Sequence, residues 1–401
     1  MRLRDFARAG HPPTLLMAFL YFDVSFMVWV LLGVLGLFVA ADFGLSDAQK
    51  GLLAAVPVLG GALARIPMGL LVDRIGPKRT GLLGQAVVLG ALAWAWLGGR
   101  SYAELLALGA LLGVAGGSFA VALPLASRWY PPEHQGLALG IAGAGNSGTV
   151  LAALFAPRLA EAAGWRAVFG WAILPVAAVM LLFMIFAREA PSRPSPRPLA
   201  HTLGLLRRRE TVWFCLLYGF TFGGFVGLAS FLVIFFHDQY AVSRVAAGTL
   251  TALCVLAGSF LRPVGGFWAD RFGGARVLSG VLMGASLGLA ALALHPPLAA
   301  ATALLFAVMG CLGIGNGSLF QIVPQRYRNE IGVATGLIGA AGGLGGFLLP
   351  SLLGLLKQYA GNFGAGLFCM SLAGAYGLAV VAFQRERWRA APALAESPSQ
   401  G

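Results

Sequence analysis

The sequence predicts an all-α polytopic membrane protein, twelve transmembrane helices in two six-helix halves. Three observations predict it: charge is scarce, apolar stretches of spanning length recur along the whole chain, and the second half repeats the first.

Of 401 residues 11% are charged and 58% hydrophobic, and the mean hydropathy is +0.81. A soluble domain carries about 25% charged residues, so a chain this poor in charge needs lipid as its solvent. About 20 apolar residues cross a bilayer as a helix, and in lipid only helices and closed barrels satisfy every backbone group. A barrel would show short segments of alternating polarity. These segments are continuous and rich in Leu, Ala and Gly, and the 57 glycines suit close helix packing. The predicted spans are 14–41, 47–73, 79–98, 101–127, 134–160, 164–187, 211–236, 244–270, 275–295, 298–325, 331–357 and 361–384.

The net charge of +13 would suggest nucleic acid in a soluble protein, but its distribution does not. Twenty of the 28 Lys and Arg fall in the N-terminus, the C-terminus and alternate loops; six, Lys50, Arg100, Arg158, Arg166, Arg244 and Lys357, fall in the others. The positive-inside rule then puts both termini in the cytoplasm, with the chain multi-pass in the inner membrane and lipid as its partner. The four cysteines lie in apolar segments without metal-type spacing, and the five histidines are scattered. No metal, cofactor or enzyme chemistry is expected.

The Pro-rich basic stretch Pro191–Pro198 divides the chain. The expected organisation is an N-terminal half 1–188, a cytoplasmic linker 189–210, a C-terminal half 211–387 and a short tail 388–401. Arg65, Gly69, Asp73, Arg74, Gly76 and Arg79 recur, 197 residues on, as Arg262, Gly266, Asp270, Arg271, Gly273 and Arg276. Gly113, Gly117, Ser118 and Pro124 recur at an offset of 200, and Gly136, Gly140 and Gly143 at 196. Parallel repeats with an even number of spans predict two halves rocking about a midplane site.

Arg65 and Arg262 each lie 8 residues before the aspartate that ends their span, roughly 12 Å deep in a core about 30 Å thick. A mid-membrane arginine is costly and marks function by default, and its planar fork of donors fits planar oxyanions. A symmetry-related pair makes a clamp for one small anion; the alternative is two structural arginines bonded to carbonyls. Asn146 and Asn316 fall in the same layer among glycines that let helices close in. Asp23 lies about 9 residues into span one, at similar depth. It reads equally as a titrating coupling group or as a permanent counter-ion for an arginine.

The run Gly69-Leu-Leu-Val-Asp73-Arg74-Ile-Gly76-Pro-Lys78-Arg79, with its copy at Gly266–Arg276, resembles the loop signature of the major facilitator superfamily. Asp73 and Arg74, Asp270 and Arg271 then read as a conformational latch. The stretch Gly143-Ala-Gly145-Asn146-Ser147-Gly148 and the stretch Gly336-Leu-Ile-Gly339-Ala-Ala-Gly342-Gly343 resemble the two glycine-rich signatures of the nitrate/nitrite porter family, and Gly315–Gln321 resembles its tenth span. The resemblance covers essentially the whole chain. It implies that Arg65 and Arg262 bind the substrate, that Phe119 and Phe320 sandwich it, and that Asn146 and Tyr218 supply polar contacts. Gly143, Gly145, Gly148, Gly339 and Gly342 would lie where helices move. The implied activity is secondary active transport of nitrate or nitrite by a monomer. Exchange of the two anions needs no carboxylate in this layer, so Asp23 leans the expectation towards proton-coupled uptake. Competing expectations are a carrier for another small anion, and a receptor or enzyme on a carrier-like fold. The last would need an added soluble domain or a nucleophile–base pair, and the sequence shows neither.

Overall fold

The computed structural model describes residues 6, 8–191, 204–327 and 331–389. Through them run α1 (Pro12–Phe43), α2 (Asp47–Ile75), α3 (Pro77–Leu97), α4 (Tyr102–Ser127), α5 (Leu137–Ala163) and α6 (Trp165–Phe186), then α7 (Arg209–Tyr240), α8 (Arg244–Phe272), α9 (Gly274–Leu292), α10 (Leu298–Val323), α11 (Ala334–Ala360) and α12 (Gly364–Arg385). All twelve are long and apolar enough to cross a membrane. Most of the expected linker, 192–203, and of the tail, 390–401, lie outside the described residues. The linker's last two residues, Arg209 and Glu210, already belong to α7.

Several helices break pattern in the midplane layer. Within α4, Gly113–Ser118 winds as 3₁₀ helix, and within α5 so does Ala144–Ser147. In α8 the helix is interrupted at Leu261, because Pro263 has no N–H to give the turn before it. Glycines bring the helices close enough for backbone contact. A Cβ on Gly113 would stand 2.6 Å from the Cα of Gly60, and one on its repeat mate Gly313 would stand 2.2 Å from the carbonyl oxygen of Gly258. These are the α2–α4 and α8–α10 crossings, packed alike in both halves.

The loop signature has its own local physics. Gly76 has φ +93° and Gly273 +89°, backbone that glycine alone adopts cheaply. Each opens the next helix without a side-chain cap of its own. In the first half Glu189, from the end of α6, supplies one: its Oε1 accepts from the Lys78 N–H at 2.8 Å. Arg128, just beyond α4, donates from Nη2 to Asp73 at 3.0 Å, while Arg74, Asp270 and Arg271 are exposed.

The halves meet along α1–α7, α2–α11 and α5–α8. At the face away from the linker they are tied by charge. The Lys357 ammonium donates to Asp47 at 3.1 Å and to Asp238 at 2.7 Å, and Lys50 pairs with the same two acids. Arg158 of α5 donates to Thr249 of α8 at 2.8 Å. At the linker face the pairs Asp73–Arg128 and Glu210–Arg326 each stay within one half.

Breaking the four-charge square should release the far face. Lys357→Met leaves two acids facing one lysine, which costs about 1–2 kcal/mol at this partial exposure, roughly a 5–30-fold population shift. In a background without native cysteines, a cysteine at Ala54, buried beside the seal, should be labelled correspondingly faster by an impermeant maleimide added at that face. Unchanged labelling would mean that the square does not hold the halves together.

Candidate functional site

Arg65 is 2% exposed, deep in α2. Its Nε donates to the Gly116 carbonyl at 3.1 Å, and its Nη1 donates across the molecule to the carbonyl of Gly339 in the other half. Gly116 lies in the 3₁₀ stretch of α4, where i→i+3 pairing re-aims carbonyls. Three rings enclose the guanidinium, Phe222 at 4.9 Å, Phe119 at 5.3 Å and Trp29 at 5.4 Å from Cζ to centroid. Such cation–π contacts offset the charge where water is excluded. Trp29 is pinned by its Nε1 to the Pro57 carbonyl at 2.7 Å and wedged against Gly61 and Gly116. Nη2 of Arg65 is buried and has no hydrogen-bond partner.

Arg262 begins the second segment of α8 and is half-buried, with Nη1 buried and without a partner. The two guanidiniums are close enough for their like charges to interact, and both act on the buried Tyr218 hydroxyl, with Arg262 in reach of a hydrogen bond to it. No carboxylate lies within ion-pairing distance of either arginine among the described residues. Asn146 and Asn316 are fully buried, and neither carboxamide has a partner at either atom. Groups of this kind are costly unless a ligand satisfies them.

The aromatic pair is brought together, but more tightly than a sandwich. The Phe119 and Phe320 centroids are 6.0 Å apart and the rings tilt by 47°. A planar anion between two ring faces needs them parallel and about 7 Å apart, twice a van der Waals contact. In this conformation the rings abut as a wall, which continues from Phe320 to Tyr218 edge-on at 5.0 Å and from Tyr218 to Phe222 stacked at 4.9 Å.

Asp23 does not meet either arginine. Its Oδ1 accepts from the Ser147 hydroxyl at 2.6 Å, and the carboxylate also accepts from the backbone N–H of Gly148. The pairing with an arginine, one of the two readings open for Asp23, is therefore not formed in this conformation. Its link to the site runs through the 3₁₀ turn of α5 that carries Asn146.

The signature glycines separate into two kinds. Gly145 and Gly148 press on α1 of their own half, where a Cβ on Gly148 would stand 1.8 Å from the Asp23 carbonyl oxygen; Gly342 presses on the Tyr218 ring. Gly143 and Gly339 instead face across the molecule. The nearest atom to a Cβ on Gly143 would be Cζ of Arg262 at 3.9 Å, and a Cβ on Gly339 would meet Phe119 at 3.6 Å and Arg65 at 3.7 Å. Each arginine thus reaches the repeat-related glycine of the opposite half. One turn nearer the linker on the same helices, Gly140 and Gly336 meet nothing within 4 Å.

Trp29, Phe222, the Gly116 carbonyl and Ser147 carry no sequence signal that separates them from packing. The far-face acids Asp47 and Asp238 were not singled out in the sequence, since their pairing with Lys50 and Lys357 joins residues up to 310 apart in the chain.

Twelve helices long and apolar enough to cross a membrane, in two repeated halves with a repeat-related pair of arginines, one buried and one half-buried, between them, have the architecture of a membrane transporter. The family model for the Major Facilitator Superfamily matches residues 17–350. A "probable nitrate/nitrite transporter" of Mycobacterium tuberculosis is 38% identical over 86% of this chain and 89% of its own length. A "nitrite extrusion protein" of Bacillus subtilis is 32% identical over 86% of this chain and 88% of its own. Among solved structures, a bacterial homologue of the human lysosomal transporter Spinster superposes with TM-score 0.74 at 20% identity, over 94% of this chain and 98% of that one; at that identity the likeness is one of fold. The chain belongs to the major facilitator superfamily and, within it, to the nitrate/nitrite porter family.

Proposed function

We propose that the protein carries nitrate, nitrite or both across the inner membrane by alternating access, with the linker face cytoplasmic, and that its principal mode is proton-coupled nitrate uptake. The observation that carries the reading is the pair of midplane arginines, each reaching towards a glycine of the other half with no acid between them. Their forks suit a planar monovalent oxyanion. The buried, unpartnered amides of Asn146 and Asn316 and the Tyr218 hydroxyl offer further donors, and the ring wall keeps out water and larger cargo. The names of the curated relatives support the same substrates. The deciding experiment is uptake into proteoliposomes of nitrate, nitrite, chloride and formate, with and without a pH gradient. Equal uptake of chloride would remove the planar-oxyanion reading, and equal uptake of formate would make the protein a carrier for another small anion.

Coupling would act through Asp23. Membrane potential opposes entry of a lone anion by about 2.3 kcal/mol per 100 mV, so one co-transported proton removes that opposition and a second would drive uptake electrically. Protonation of Asp23 would weaken its bond from Ser147 and so reposition the turn bearing Asn146. Asp23→Asn is expected to keep counterflow and lose accumulation driven by a pH gradient. Accumulation with an unchanged pH dependence would instead favour nitrate/nitrite exchange. That second reading draws support from the same geometry, since an Asp23 held by Ser147 leaves both arginines to the anion.

A further inference from the structure

Where α7, α10 and α12 reach the linker face there is a cavity of about 390 Å³ lined by Arg209, Glu210, Trp213, Arg326, Phe383 and Gln384. It lies at the end of the bundle, away from the midplane site. We propose that it binds the headgroup of an anionic phospholipid of the linker-side leaflet. The placement of charge is the first argument. Arg326 donates to Glu210 Oε1 from Nε at 2.9 Å and from Nη2 at 2.7 Å, so this pair is largely neutral. Arg209 is exposed, has no acidic partner among the described residues and supplies the positive charge, with exposed Arg207 on the turn before it. Basic pockets between helices at the membrane surface suit anionic headgroups.

The surface leading away from the cavity favours a lipid over a dissolved anion. On α7, Arg209, Val212, Trp213 and Leu216 follow the spacing of one helix face, and Val212 and Leu216 are 38% and 49% exposed. On α12, Phe383, Tyr376 and Leu372 make a matching stripe, each more than half exposed. A headgroup in the cavity would leave its acyl chains along two apolar stripes that point into the bilayer, with Trp213 at the interfacial level where tryptophan is favoured.

The repeat shows that the fold does not require these charges. At the offsets of 197 and 200 that relate α2 to α8 and α4 to α10, Arg209, Glu210 and Arg326 correspond to Pro12, Pro13 and Ala126, none of them charged.

Binding is measured on the purified full-length protein in detergent, so it depends neither on the transported anion nor on orientation in the cell. The protein is titrated with phosphatidylglycerol or phosphatidylcholine of the same chains, and bound lipid is counted by native mass spectrometry. Phosphatidylglycerol should bind at least about five-fold more tightly, the effect of one basic residue at a membrane surface. Arg209→Gln should remove that preference without lowering the melting temperature, and Glu210→Gln should strengthen it by taking the acid out of the cavity lining. Equal binding of both lipids, or an unaltered preference in Arg209→Gln, overturns the proposal. So does displacement of the lipid by millimolar inorganic phosphate, which would make the cavity a site for a soluble anion.

Discussion

Arg65→Lys is expected to reduce nitrate uptake by at least two orders of magnitude in protein that still folds and inserts. Lysine carries the charge but has one nitrogen where arginine uses three. Arg65 spends Nε on Gly116 and Nη1 on Gly339 and keeps Nη2 in reserve. A charge-assisted hydrogen bond contributes about 1.5–3 kcal/mol, so losing the fork's second contact and its stacking on three rings costs roughly 3–4 kcal/mol, 10²–10³ in binding. Arg262→Lys should be milder, roughly tenfold, because Arg262 is half-buried and a flexible ammonium can still approach the anion as a point charge. Proteoliposome uptake with matched amounts of each variant gives both numbers. Normal uptake by both would end the clamp reading, and equal losses would mean that the different surroundings of the two arginines do not matter.

The glycines provide the second large effect. Gly148→Ala should prevent folding or cut thermal stability severely, since its Cβ would stand 1.8 Å from the backbone of Asp23 and α1 would have to move away. Gly339→Ala and Gly143→Ala should fold normally, because their Cβ atoms meet neighbours at 3.6–3.9 Å, ordinary contact. Leucine at either position should also fold, as the open face beside Gly140 and Gly336 leaves it space, but it would stand between an arginine and the opposite half. Transport is expected to be lost while size-exclusion behaviour and melting temperature stay near those of the parent. Tolerance of leucine at both positions with full activity would show that neither glycine lies at the moving contact.

The twelve spans were legible because composition and a rise of about 1.5 Å per residue suffice to place them. Which side chains face one another was less legible, and α4 shows why. Side-chain direction advances 100° per residue in an α-helix and 120° in a 3₁₀ helix. Over the six residues Gly113–Ser118 the difference accumulates to about a third of a turn. Any face assigned to Phe119 from α-helical spacing alone is therefore rotated, so the tilted contact of Phe119 with Phe320 could not be read from periodicity. Asp23 is a different case. Its depth was legible, but its partner depended on how closely α5 approaches α1, and that approach is set by Gly145 and Gly148, whose role is visible only as the absence of side chains.

The same winding gives the two halves different mechanics. In α10 and α11, the mates of α4 and α5, the α-helix runs unbroken from Leu298 to Arg326 and from Ile331 to Ala360. A 3₁₀ segment rises about 2.0 Å per residue against 1.5 Å for an α-helix. Rewinding Gly113–Ser118 would shorten α4 by about 3 Å, and rewinding Ala144–Ser147 would shorten α5 by about 2 Å. Conversion of both segments to α-helix would shorten α4 and α5 along their own axes, a change of length for which the unbroken α10 and α11 hold no 3₁₀ turn in reserve.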